Sequence, residues 1–177
     1  MEQDARKAQV PLKGRGAASR VPSRFDTTAT VGVDDGWESV YQEMENAPRL
    51  RTQVQEERAR TVISHNSSPD VGFSASVNPY RGCEHGCVYC FARPSHSYLS
   101  LSPGLDFETR LFAKTNAPER LRAEISKSSY KCAPIALGIN TDGYQPVERN
   151  YQITRQCLEV LADAKHPVSF VTKSALI

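Results

Sequence analysis

The 177-residue sequence has no long apolar run; none approaches the roughly 18 residues needed to span a bilayer. It has no apolar segment behind its first charged residues, so Met1 to Gly16 does not read as a secretory signal. Charge of one sign is also lacking: 22 Lys and Arg stand against 20 Asp and Glu, a formal net charge of +2. A whole-chain attraction to nucleic acid or to a membrane surface is therefore not indicated. Hydrophobic residues make up 39% and mean hydropathy is -0.49, lean for one core of ordinary size, so part of the length is expected outside the core. Five cysteines, an odd number, do not make a disulfide framework. In the reducing cytoplasm expected for this chain, clustered cysteines bind metal or do chemistry.

Composition divides the chain near Asp70. Residues 1–70 are expected to form an extension, largely disordered or loosely packed. Its first part is basic, with Arg6, Lys7, Lys13, Arg15, Arg20 and Arg24 against Glu2 and Asp4. A nucleic-acid arm is one reading, weakly supported by Gly14-Arg15-Gly16; a solvated tail is favoured. Trp37, in the mixed-charge stretch from Asp34 to Arg60, is expected to anchor onto the domain.

Residues 71–177 alternate in pattern. Val71 to Val77 reads as extended, and a cysteine loop follows its Asn-Pro-Tyr-Arg-Gly turn. Arg93 to Lys114 reads as a long connection in which Asp106 and Glu108 are solvated. A helix is expected over Asn116–Lys127, with Asn116 as N-cap and Pro118 in the first turn. Pro134 to Asn140 is a nearly unbroken apolar run, the signature of a strand buried on both faces. A second helix is expected over Asn150–Lys165, with Ile153, Cys157, Leu161 and Ala164 on one stripe, then a strand over Pro167–Val171. This is an α/β pattern of about three βα units, implying a parallel sheet. Its strand ends carry the cysteine loop, Asn140-Thr141-Asp142 and Thr172-Lys173, where such sheets gather their chemistry. Three strands cannot close a barrel, so the chain is expected either to be a fragment or to complete its sheet with a second chain.

Cys83, Cys87 and Cys90 are spaced C-x3-C-x2-C, and Gly82 and Gly86 allow tight folding around a small inorganic group. A cubic 4Fe-4S cluster usually takes four cysteines, so three leave one iron open to an outside ligand. The rival on spacing alone is zinc, with His85 or His96 as fourth ligand. Cys132 and Cys157 read as core packing. Arg81 is read equally as a turn stabiliser or as a group that tunes a cluster, Tyr144 equally as packing or as a cavity wall, and His65 and His96 as structural or surface groups.

The string from Asn78 to Pro94, with an aromatic before the last cysteine, resembles the radical S-adenosylmethionine (radical SAM) superfamily, in its branch related to spore photoproduct lyase. Within that branch it is similar to a bacterial family of unassigned substrate. Leu101 to Thr109, Asn140 to Arg149 and Pro167 to Ser174 carry further motifs in the same order. The resemblance implies a partial (βα) radical SAM barrel with Cys83, Cys87 and Cys90 on a 4Fe-4S cluster. It implies S-adenosylmethionine against Tyr89, Asn140, Thr141, Asp142 and Lys173, and generation of a 5'-deoxyadenosyl radical. It further implies an electron donor such as flavodoxin or ferredoxin, a DNA or nucleotide substrate by analogy, and no membrane partner. Two residues depart from the pattern. Ile139 stands where spore photoproduct lyase has a hydrogen-donating cysteine, which puts that repair reaction in doubt. Gly143 replaces a usual proline. The alternatives are a non-catalytic truncated remnant and a zinc-stabilised nucleic-acid-binding module.

Overall fold

The computed structural model describes residues 14–17, 19–27 and 50–175. Arg6, Lys7, Lys13 and Trp37 lie outside them.

A four-stranded sheet organises the site. Its order is β2 (Ile63–His65), β3 (Ala75–Val77), β6 (Ile135–Leu137) and β7 (Val168–Phe170). β3, β6 and β7 are parallel, with Ala75 opposite Ile135 and Ile135 opposite Val168; β2 pairs antiparallel with β3. Every residue of β3 and β6 is buried, as the apolar run before Asn140 requires of a strand covered on both faces. A smaller sheet has the order β1 (Gln53–Glu57), β5 (Arg110–Lys114), β4 (Tyr80–Arg81). β1 and β2 lie before Asp70, so regular strand structure begins about twenty residues ahead of the expected boundary. Their short polar segments, QVQEE and ISH, carry no alternating pattern of their own. Strand pairing supplies what local propensity does not.

Helix α2 (Ala117–Ile125) and helix α4 (Ile153–Asp163) pack together over the larger sheet, α2 contributing Leu121 and α4 contributing Ile153, Cys157 and Leu161. Asn116 does not cap α2 with its side chain. Its amide instead brackets Ala59, accepting from the Ala59 N–H at 2.8 Å and donating to the Ala59 carbonyl at 2.9 Å. The single helix expected from Asn150 is two. Helix α3 (Glu148–Tyr151) ends at Gln152, whose φ of 52° is left-handed, and α4 starts afresh. The break follows from the buried Glu148 carboxylate. It accepts the N–H groups of Thr154 at 3.1 Å and Arg155 at 3.0 Å, capping α4 from one turn upstream, and also takes the Tyr80 hydroxyl.

The connection after Arg93 is not a loop. It forms a 3₁₀ turn (Arg93–Leu99), a short buried helix α1 (Leu105–Thr109) and β5. Asp106 and Glu108, expected in solvent, are buried, because backbone N–H groups and arginines converge on them. Cys132 is exposed rather than core; Cys157 is fully buried, and burial pushes its thiol up to about 12. No helix among the described residues is long and apolar enough to cross a membrane.

Candidate metal centre

The cysteine loop leaves β4 and doubles back beside the ends of β6 and β7. Cys83, Cys87 and Cys90 line one half-open cavity of about 190 Å³, with His85, Tyr89, Asn140, Asp142 and Lys173. Of the residues expected at this site, only Thr141 is absent from the wall. Its buried hydroxyl donates to the Tyr80 carbonyl at 2.9 Å, so it ties β4 to the end of β6 instead of facing the cavity. Ile139 does line it.

Two tight turns set the thiols. The Gly86 N–H reaches the Cys83 carbonyl at 3.2 Å and the Cys90 N–H reaches the Cys87 carbonyl at 3.2 Å. Gly86 has φ +60°, and a side chain there would meet Glu108 Oε2 at 2.2 Å, so only glycine fits. Two residues that the sequence does not single out hold the loop from outside. Gln145, 0% exposed, accepts the Glu84 N–H at 2.9 Å and donates to the Gly82 carbonyl at 3.2 Å, bracketing Cys83. Arg93 donates to the carbonyls of Gly86, Cys87 and Gly104, each at 2.9 Å. Both lie inside the motif stretches Asn78–Pro94 and Asn140–Arg149, but no local pattern shows that they act on backbone atoms brought close only by the fold. Gln145→Leu leaves a buried carbonyl and a half-buried N–H unpaired beside Cys83. It is expected to cost about 2 kcal/mol in chemical denaturation, well above the few tenths typical of a surface change.

The electrostatics are asymmetric. Cys83 is buried, and burial pushes its thiol up to about 11, so in the metal-free chain it is protonated at neutral pH. A metal must displace that proton, and loading becomes more favourable as pH rises. Lys173 Nζ reaches the Tyr89 hydroxyl and lies 3.1 Å from Cys87 Sγ; these bonds, Tyr89 first, raise its pKa above the ordinary value. The same ammonium sits 4.4 Å from the centroid of the Tyr89 ring. Asp142 is pinned by the Thr172 hydroxyl at 2.6 Å and by the N–H groups of Lys173 at 2.7 Å and Tyr144 at 2.8 Å. The end of β6 is thus bound to the end of β7. His85 Nε2 lies 3.3 Å from Asp142 Oδ2 without hydrogen-bond geometry.

His96 is removed from the ligand choice. It is fully buried against Phe107, its Nε2 is 2.9 Å from the Arg110 carbonyl, and burial lowers its pKa, so it is neutral. Tyr144 packs edge-on against Phe170, and Arg81 pairs with Glu57 at 2.9 Å. Among the described residues no group of three or more His, Cys, Asp or Glu side chains is placed so as to hold a metal ion. The donor set nonetheless suits a soft multinuclear group: three thiols around one cavity, with a cation against one of them.

No family model matches the chain, and no solved structure matches it. Uncharacterized proteins of Mycobacterium tuberculosis and Mycobacterium bovis are 45% identical to it over 105 residues, 59% of this chain and 31% of theirs. An uncharacterized protein of Methanocaldococcus jannaschii is 25% identical over 120 residues, 68% of this chain and 42% of its own. The chain spans about a third of the length of the mycobacterial relatives it matches.

Proposed function

We propose that this chain is part of a radical SAM iron-sulfur protein related to the photoproduct lyases, with Cys83, Cys87 and Cys90 as ligands of a 4Fe-4S cluster. The observation that carries the reading is the single cavity shared by the three cysteines and by Asn140, Asp142 and Lys173 from two strand ends. When bound, such a cluster would supply the electron that breaks a carbon-sulfur bond of S-adenosylmethionine, giving methionine and a 5'-deoxyadenosyl radical.

The chain's own residues would do the rest. The three thiols would give up their protons to become ligands, Cys83 against the resistance that its burial sets. Lys173, a compact cation at the mouth of β7, would pair with the carboxylate of an amino-acid ligand; in its absence the ammonium rests on Tyr89 and Cys87. Asp142 presents its carboxylate in a fixed orientation, suited to a ligand ammonium. Tyr89, 77% exposed, offers a ring face at the rim for a planar base. Ile139 in the wall has no labile hydrogen to return to a product radical, which argues against thymine-dimer repair as the reaction. The substrate class and the electron donor are carried by the resemblance alone.

The second reading is a zinc site using His85, which shares the cavity with the three thiols. The test is anaerobic reconstitution with iron and sulfide, then dithionite and S-adenosylmethionine. The proposal expects 5'-deoxyadenosine. An intact cluster without that product would mark a non-catalytic remnant, and a colourless zinc protein would mark the second reading. Within this assay Lys173→Met is expected to keep the cluster and lower S-adenosylmethionine affinity about tenfold or more, the scale of one charge-assisted pair at a partly desolvated site.

A further inference from the structure

The basic segment around Arg15 is not a free arm. Glu108 is 0% exposed, and its two carboxylate oxygens accept consecutive backbone N–H groups, Oε2 from Gly16 at 2.9 Å and Oε1 from Ala17 at 2.7 Å. On the same carboxylate, Oε2 lies 3.9 Å from Arg93, the residue that holds the carbonyls of Gly86 and Cys87. Arg15 reaches across to Glu84 of the cysteine loop at 3.3 Å and to Thr52 at 2.7 Å, and Thr52 donates to the same Glu84 oxygen at 2.7 Å. Gly16 lies so close to the loop that a β-carbon on it would fall 1.8 Å from the Gly86 carbonyl oxygen. Arg20 and Val21 extend the contact, the first pairing with buried Asp106 at 2.9 Å, the second accepting from the Ser102 hydroxyl at 2.6 Å.

We propose that residues 14–17 and 19–21 form a strap locked across the back of the cysteine loop by Glu108, and that Glu108 is a positioning residue for Cys83 to Cys90. A buried carboxylate left without donors is costly, so the strap and the carboxylate require each other. The strap closes the side of Gly86 away from the cavity, which keeps water off the turn joining Cys83 to Cys87. The inference goes beyond the cluster assignment and holds whatever the thiols bind. It also pairs Arg15 with Glu84 and Arg20 with Asp106 of the same domain.

The test is Gly16→Ala in the full chain, metal-free, with Glu108→Gln as a second variant. Gly16→Ala forbids the close approach without touching the core; Glu108→Gln replaces one acceptor oxygen with a donor facing an N–H. In both, the Gly86 and Cys90 amides should exchange with deuterium about tenfold faster, the scale set by losing a hydrogen bond to a charged group. Trypsin should cut after Arg15 and Arg20 faster by a similar factor, and amides of β3 and β6 should keep their wild-type rates. Unchanged exchange at Gly86 and Cys90 in Gly16→Ala overturns the proposal. So does an equal acceleration in β3 and β6, which would make these residues general elements of the fold. Because no metal is present, failure of the cluster assignment leaves this measurement intact.

Discussion

Cys83→Ala, Cys87→Ala and Cys90→Ala, each in the full chain reconstituted anaerobically, should each lower bound iron and sulfide to below about a tenth of wild type, since a three-thiol site has no spare protein ligand to give up. Cys132→Ala and Cys157→Ala should leave both contents unchanged. The contrast is geometric. The first three thiols line one cavity, whereas Cys157 is sealed on the inner face of α4 and Cys132 is exposed away from the cysteine loop. Folding should survive in all five. Of the three loop thiols Cys83 has most to lose from truncation, because it packs with Ala92 and Phe107. A sulfhydryl replaced by a methyl hydrogen is a small volume change, expected to cost about 1 kcal/mol. Iron loss with an intact circular-dichroism spectrum would assign the thiols as ligands; iron content independent of all three would remove them.

Glu148→Ala should have the largest effect on stability of any single polar substitution, about 3 kcal/mol, seen as a drop of roughly 10 °C in Tm. One buried carboxylate holds the Tyr80 hydroxyl and two backbone N–H groups at the start of α4, and all three donors would be left in place without it. Desolvation of the carboxylate opposes its contribution, but deleting one partner leaves the others stranded, and that asymmetry decides the sign. Burial and the Glu148 bond both raise the Tyr80 pKa, so Tyr80 is a neutral phenol throughout the physiological range. The comparison is Arg155→Ala. Arg155 pairs with Glu159 at 3.2 Å on the exposed face of the same helix, and its loss should cost under about 0.5 kcal/mol. Equal effects from the two substitutions would show that the carboxylate is solvated in solution.

What the sequence disclosed follows from the kind of signal each element carries. β6 and α4 were legible because an unbroken apolar run and a 3.6-residue stripe are local patterns. β1, β2, β4 and β5 were not, since they are short and polar or lie inside a segment dense with turn residues. The cysteine spacing exposed the site, and the polar residues after β6 and β7 exposed its far wall. Thr141 stands next to Asp142 in sequence yet turns its hydroxyl to the Tyr80 carbonyl, because both lie in the bend after β6, where side chains follow no regular alternation that a sequence pattern could show. Asp106 and Glu108 read as solvated because carboxylates usually are. Their burial depends on Arg20, Arg93 and the backbone of residues 16 and 17, some ninety positions away for the strap, which no local pattern reveals.

The proposal stands or falls on whether one loop's three thiols hold an iron-sulfur cluster with a coordination position to spare. Metal and acid-labile sulfide content of the wild-type chain, purified without oxygen and without added metal, tests it most directly. About four irons and four sulfides per chain, with an absorbance change on adding S-adenosylmethionine, is the predicted result. One zinc per chain, with no sulfide and no colour, would contradict it.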